Sequence, residues 1–333
     1  LNPLYLQMTR NFMKVYDVHD NAVPELFDID NDGDLDLFIG NSFETSAFPW
    51  NGRIKFLRNI GSNMQPDYFL EDEAFLGNLL GKELVPKFAD MDNDGDGDLF
   101  VGELYGGILY FENTGSAETP HFTDFTILDG IDVGYNAVPE LCDFDSDGDL
   151  DLIIGADNGG IQYYQNSGDE SAFDFQLIAD NWQNIQVNGK SSPQCMDIDV
   201  DGDFDLILGS ENENFLFYEN SGTPQIPEMN QSDDIVFPDL GNKLKPEFFS
   251  SSNGYLDMYV GTALGGLYHV RAGNCQNGDL NDDLTTNVSD IVILVDFIFG
   301  LDIDDNSLCH GDLNNDGLLN VSDIVLVVAL ILN

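Results

Sequence analysis

Carboxylates recur along this 333-residue chain at a spacing suited to wrapping a hard cation. Asp28, Asp30, Asp32, Asp34 and Asp36 occupy alternate positions of one nine-residue segment, with Gly33 sixth. The pattern returns at Asp90, Asp92, Asp94, Asp96 and Asp98, and at Asp143, Asp145, Asp147, Asp149 and Asp151. A fourth copy holds Asp197, Asp199, Asp201, Asp203 and Asp205. Alternation turns successive carboxylates toward one centre, position seven offers its backbone carbonyl, and the glycine allows the sharp turn. An all-oxygen donor set, without His or Cys, selects calcium over zinc, copper or iron, and magnesium keeps too many waters to fit as well. Without a cation, five such acids would repel one another. Four calcium sites are therefore expected. Each ion would rivet its own turn, because one loop supplies nearly all its ligands; bridging an external ligand is the alternative role.

Short strands must carry these loops. Each is followed by an apolar run ending in glycine, DLFIG, DLFVG, DLIIG and DLILG. Pro24, Pro86, Pro139 and Pro193 each lie four residues before the first Asp. An aromatic run ending in Asn-x-Gly comes later in each unit: FLRNIG, YFENTG, YYQNSG and FYENSG. A fifth unit runs from Lys245-Pro246-Glu247 through Leu256–Gly261, but its loop, Ser250 to Gly254, has lost the acids and should hold no metal. The second unit shows four strand-like runs, 86–91, 98–102, 108–112 and 122–127. Four short strands per repeat, joined by Gly and Asn turns, predict a mainly β fold, a β-propeller.

The four DxDxDGDxD loops, the strand and glycine after each, and the NxG strand resemble FG-GAP/VCBS repeat proteins, the family of the calcium-binding blades of integrin heads. The resemblance covers roughly residues 20 to 272 and implies a propeller domain over 1–272. Five four-stranded blades are expected, with the N-terminal strand Asn2–Gln7 completing the fifth and leaving no free edge. The first unit alone carries a long insertion, between Gly40 and Gly52, on the face opposite the calcium loops. Its Phe43, Phe48 and Trp50 are candidate contacts for a sugar ring or a protein; packing as a lid over the ring is the alternative.

After Gly273 the pattern changes. Two twelve-position loops place oxygen side chains at 1, 3, 5, 9 and 12, and each opens an apolar helix. The duplicated GDLNxD…NVSDIV motif resembles a type I dockerin, over 275–333, a small all-α module with EF-hand-like loops. The resemblance implies calcium ligands Asp279, Asn281, Asp283, Asn287 and Asp290 in the first loop, and Asp312, Asn314, Asp316, Asn320 and Asp323 in the second. Leu284 stands where the second loop has Gly317, so the first site should be weaker. The implied partner is a cohesin-like module, contacted through Val288, Ser289, Val321 and Ser322. Cys275 and Cys309 hold equivalent positions in the two copies and are expected to form a disulfide. Cys142 and Cys195 lie on the first strands of neighbouring blades, one position out of register, and read as buried free thiols rather than a bridge.

Eleven basic residues against 61 acidic ones, a net charge of −50, exclude a phosphate-binding surface and argue against nucleic acid and anionic membranes as partners. No apolar run reaches the ~20 residues of a membrane span. The first residue is leucine, consistent with a processed or partial chain. None of the four histidines sits in a nucleophile or zinc motif. Glu25, Glu140 and Glu247 follow the repeated prolines, and that repetition suggests a role in every blade rather than a unique active site. The expectation is an extracellular, non-catalytic calcium-binding recognition or adhesion protein. Its propeller would bind a polysaccharide or a cell-surface protein. A dockerin-bearing glycoside hydrolase or lyase, and a plain spacer, are the alternatives.

Overall fold

The computed structural model describes residues 4–7, 18, 21–42, 51–63, 66–77, 81–122, 124–168, 172–198, 201–213, 215–223, 225–232, 235–236, 245–250, 256–263, 265–272, 278–281, 285–299, 311, 313 and 319–332. It is a β-propeller. The first blade comprises β2 (Val23–Phe27), β3 (Asp36–Gly40), β4 (Ile54–Asn59) and β5 (Tyr68–Phe75). The second comprises β6 (Val85–Ala89), β7 (Asp98–Gly102), β8 (Ile108–Phe111) and β9 (Thr126–Ile127). β10 (Val138–Cys142), β11 (Asp151–Gly155), β12 (Ile161–Asn166) and β13 (Phe175–Ala179) form the third. β14 (Ser191–Met196), β15 (Asp205–Ser210), β16 (Leu216–Asn220) and β17 (Met229–Ser232) form the fourth. All four are antiparallel meanders.

Five four-stranded blades were expected; the structure forms four, and the strands assigned to a fifth build a different sheet. The remaining sheet has five strands, in the order β18 (Ile235–Val236), β1 (Leu4–Gln7), β21 (Leu267–Ala272), β20 (Leu256–Gly261) and β19 (Lys245–Ser250). The N-terminal strand pairs antiparallel with β21, Leu6 opposite Ala272. The chain leaving the fourth blade then adds β18 parallel to β1, Leu4 opposite Ile235. An outer strand in a meander would present an open edge, and β18 covers the edge of β1.

The second strand of each four-stranded blade is buried along its whole length, as a sheet covered on both faces requires. Its terminal glycine explains both repeated punctuation marks. A Cβ on Gly40 would sit 2.1 Å from the Leu84 carbonyl oxygen and 2.9 Å from Pro86 Cδ of the next blade. Gly261 of the five-stranded sheet meets Ala22 and Pro24 of the first blade the same way, at 2.0 and 2.9 Å. There Ala22 N donates to Thr262 O at 3.0 Å, as Leu84 N does to Asn41 O at 3.1 Å.

At two interfaces a residue of one innermost strand faces the neighbouring position, one step out of phase, on the next. Phe27 stacks on Phe88 with centroids 4.9 Å apart. At the equivalent place between the third and fourth blades, Cys142 and Cys195 form a disulfide, Cα atoms 6.6 Å apart. This corrects the free-thiol expectation. Side chains alternate across a strand, so two residues that face each other from adjacent blades must be offset by one. Cys275 and Cys309 lie outside the described residues.

Two helices, α1 (Val288–Ile298) and α2 (Val321–Leu332), pack together around buried Leu280, Leu294 and Val327. Among the described residues no helix is long and apolar enough to cross a membrane.

Candidate functional sites

Each acidic loop is shaped by its own carboxylates. Asp28 accepts from Asp32 N and Gly33 N at 3.0 and 2.9 Å, and Asp32 accepts from Asp34 N at 3.0 Å. Asp143 and Asp147 repeat this with Asp147 N, Gly148 N and Asp149 N, and Asp197 and Asp201 with Asp201 N, Gly202 N and Asp203 N. In the second loop Asp90 accepts from Gly95 N and Asp94 from Asp96 N, both at 3.1 Å. The glycine adopts φ near +95° in every loop, from 93° to 103°, where a side chain would be strained.

These turns gather positions one, three and five. Asp28, Asp30 and Asp32 bring one carboxylate oxygen each to within 4.8 Å of the others, as do Asp90, Asp92 and Asp94, and Asp143, Asp145 and Asp147. Asp199, the third position of the fourth loop, lies outside the described residues. The acidic clusters could hold a metal ion. Asp30 Oδ1 and Asp90 Oδ1 are buried without a hydrogen-bond partner, which is what oxygens reserved for a cation would show. Burial raises Asp92, Asp96 and Asp143 above the usual carboxylate range, neighbouring aspartates adding to it.

The position-nine aspartates are tied to the third strand, and Asp36 Oδ2, like Asp30 Oδ1 and Asp90 Oδ1, is buried without a hydrogen-bond partner. Asp36, Asp98, Asp151 and Asp205 each accept, through Oδ1, from the backbone N–H of Asn59, Asn113, Asn166 and Asn220, at 2.7 to 2.9 Å. The asparagine side chain in turn accepts from the glycine of its own Asn-x-Gly, at 3.0 to 3.1 Å. The two sequence signatures are thus one device, a chain of hydrogen bonds locking the acidic loop to the third strand. Burial pushes Asp36, Asp98 and Asp151 up to about 6. The position-seven residues Asp34, Asp96, Asp149 and Asp203 each donate a backbone N–H to position five.

The loops differ in what touches position three. Arg58, on β4, pairs with Asp30 and with Glu71. Gln165 stands in its place beside Asp145. A cleft of about 230 Å³ separates the second and third loops, lined by Asp90, Asn93, Asp147, Asp149 and Asn166.

In the C-terminal region Asn287 caps α1, accepting from Ser289 N at 2.8 Å, and Asn320 accepts from Ser322 N at 2.9 Å. Asp290 is fully buried and accepts from Leu280 N, Asn281 N and Asn287 N at 2.8 to 3.3 Å. Asp323, also fully buried, accepts from Asn320 N at 2.9 Å. Asp279 is buried and Asn281 exposed. Val288 and Val321 are 66% and 65% exposed, and Ser289 and Ser322 are exposed beside them. Asp283, Asp312, Asn314 and Asp316 lie outside the described residues, as do Phe43, Phe48 and Trp50 of the inserted loop. The root of that loop is described: Asn41 and Ser42 are buried, and Asn41 Nδ2 donates to Val18 O at 3.1 Å.

One cluster escaped the sequence reading. The residues following the five repeated prolines, Glu25, Lys87, Glu140, Gln194 and Glu247, are all buried, and the three glutamates meet around Lys87 Nζ. Lys87 Nζ lies 3.3, 3.1 and 3.4 Å from carboxylate oxygens of Glu25, Glu140 and Glu247. The available signal was the position itself, filled by a charged or amide side chain in every unit.

The model of the FG-GAP-like repeat family matches residues 90–154, the span of the second and third acidic loops. No curated protein matches the chain. Similar solved structures include an Agrocybe aegerita lectin whose structure concerns recognition of non-reducing terminal N-acetylglucosamine, at 20% identity and TM-score 0.40 over 72% of this chain. The chain spans 61% of that lectin's length. An α-L-arabinofuranosidase from Podospora anserina, in complex with cellotriose, aligns at 11% identity and TM-score 0.47, over 82% of this chain and 95% of that one. A GH43_1 enzyme from Xanthomonas citri aligns at 11% and 0.45, over 81% and 88%. These identities are too low to carry a function across.

Proposed function

We propose that this protein is an extracellular, calcium-binding, non-catalytic recognition protein. Four acidic loops of the propeller take calcium, and the ions stiffen the turns of one face. The carrying observation is the convergence of first, third and fifth carboxylates in three loops, two of which hold a buried oxygen without a hydrogen-bond partner. The five-stranded sheet acts as the closing blade, a reading supported by the contact of Gly261 with Ala22. The Cys142–Cys195 disulfide fits an oxidising exterior. The 41–51 insertion, with Phe43, Phe48 and Trp50, would meet a carbohydrate or a surface protein. The duplicated C-terminal loops would take two further calcium ions, and exposed Val288, Ser289, Val321 and Ser322 would meet a cohesin-like partner.

Glu25, Glu140 and Glu247 are sealed against Lys87, which leaves them badly placed for the paired-carboxylate chemistry of a glycosidase. The test is a glycan array with the calcium-loaded full chain, run beside a reducing-sugar assay on the same polysaccharides. Saturable binding without product, lost in Trp50→Ala, is expected. Released sugar would overturn the non-catalytic assignment. Calorimetric titration with calcium showing no uptake would remove its metal basis.

A further inference from the structure

The axial cluster carries more acid than its cation can neutralise. Glu25 comes from β2, Lys87 from β6, Glu140 from β10 and Glu247 from β19, with neutral Gln194 from β14. One ammonium therefore faces three carboxylates. Glu25 Oε1 accepts from Phe88 N at 3.0 Å, and Gln194 Oε1 from Phe248 N at 3.2 Å. Glu25 Oε2 receives no hydrogen bond from an N–H or O–H donor and lies 3.3 Å from Lys87 Nζ, and Glu247 lies within hydrogen-bonding reach of the Glu25 carboxyl.

Two residues earlier on these strands stand Val23, Val85, Val138, Ser192 and Lys245, and the three valines form their own buried cluster. Two residues later stand Phe27, Ala89, Cys142, Met196 and Phe249, with Cys142 held in the disulfide. The one further charge in these layers is Lys245, and it acts on Glu83. Burial alone would raise Glu83, but Lys245 and Lys190 outweigh it and hold the carboxyl low. Lys245 is thus engaged elsewhere.

Three ionised carboxylates in this space would leave two uncompensated buried charges, which desolvation does not permit at ordinary cost. We propose that the axial cluster is a proton-loaded lock: the folded ring holds protons shared among Glu25, Glu140 and Glu247, and their release at rising pH loosens the ring. Burial does push Glu25 well above the usual carboxylate range, and Glu140 up to about 7. Burial raises Glu247 as well, and the three glutamates more than offset desolvation of Lys87, keeping it charged. The protons belong to the group rather than to one residue. A carboxyl raised above its unfolded value stabilises the fold at low pH, and that stabilisation is lost as pH climbs through the folded value.

The test uses the full chain, calcium-saturated, in wild type and in Glu25→Gln, Glu140→Gln and Glu247→Gln. Glutamine mimics the protonated acid and cannot ionise. The wild-type melting temperature should fall as pH rises from the unfolded glutamate value of about 4.3 through the raised folded values, Glu140's being about 7. At least one glutamine variant should flatten that fall and melt about 2–4 °C above wild type at the alkaline end. Histidines and loop aspartates are common to all forms, so the difference isolates the cluster. Carboxyl-carbon NMR of glutamate-labelled wild type reads the same event without mutation. A glutamate titrating near neutrality supports the lock. Overturning results are the absence of any glutamate titrating above about pH 6, or variants whose melting curves parallel the wild type at every pH.

Discussion

Tyr110 donates its phenol to Asp98 Oδ2 at 2.8 Å, beside the backbone N–H that the same carboxylate takes from Asn113. Tyr163 repeats the contact with Asp151 in the third blade. The first and fourth blades have Phe56 and Phe217 at the equivalent place, three residues before the asparagine. Tyr110→Phe would strip one of two hydrogen bonds from a buried, charged acceptor. The expected loss is about 1.5–3 kcal/mol of unfolding free energy, measured by denaturant titration in calcium. Phe56→Leu, with no hydroxyl to lose, serves as the packing control.

Arg58 sets the first loop apart. Its guanidinium pairs with Asp30, one of three carboxylates gathered there, and so competes with an incoming cation. Arg58→Gln copies the side chain found beside Asp145 in the third blade. Calcium affinity of the first loop should rise by about two- to fivefold, the range of a partly exposed ion pair. Terbium luminescence with the other loops inactivated by Asp→Asn at position one would resolve it. Unchanged or weaker binding would remove Arg58 as a competitor.

Ring closure has its own probe. Gly261→Ala would put a methyl 2.0 Å from the Ala22 carbonyl oxygen. Gly102→Ala would do the same to Ala137, at 2.2 Å, between the second and third blades. Both should cost about 1–3 kcal/mol or more, as overpacking does. A loss at Gly102 with none at Gly261 would mean that the five-stranded sheet does not seat on the first blade in solution.

Asp290 ties the first C-terminal loop to its helix through three backbone N–H groups. Asp290→Ala would leave those donors bare and remove half of the capping box at Asn287. Helix α1 should fray, at a cost of about 0.5–2 kcal/mol from the cap alone. Far-ultraviolet circular dichroism and hydrogen exchange over 288–298 would register it.

What a single strand or loop encodes was legible in the sequence. The four acidic loops, the buried second strands and the terminal glycines each sit within about a dozen consecutive residues, and local spacing displays them. Features assembled around the axis were not. Glu25, Lys87, Glu140 and Glu247 are brought together from four innermost strands; the repetition of the glutamates was visible, but not their meeting around Lys87. The Cys142–Cys195 bridge was misread because the one-residue offset looked like misalignment; facing strands require it. Strand β18 escaped because its two residues gain their place only from the neighbouring N-terminal strand. The hydrogen bonds of the position-nine aspartates to Asn59, Asn113, Asn166 and Asn220 were not legible either, because they depend on the third strand.

The pairing of Leu6 with Ala272 has a consequence for synthesis. Each four-stranded blade can form as soon as its own stretch leaves the ribosome, since all its contacts are sequential. The five-stranded sheet cannot, because β1 must wait for β21. Until then the flank of the first blade, with Leu26, Leu37, Ile39 and Leu57, lacks Tyr259, which packs against it in the folded protein. A nascent chain therefore carries an uncovered greasy flank from completion of the first blade until β20 and β21 are made. That interval is when a holdase chaperone would be needed and when a stalled or truncated product would be most easily recognised and degraded.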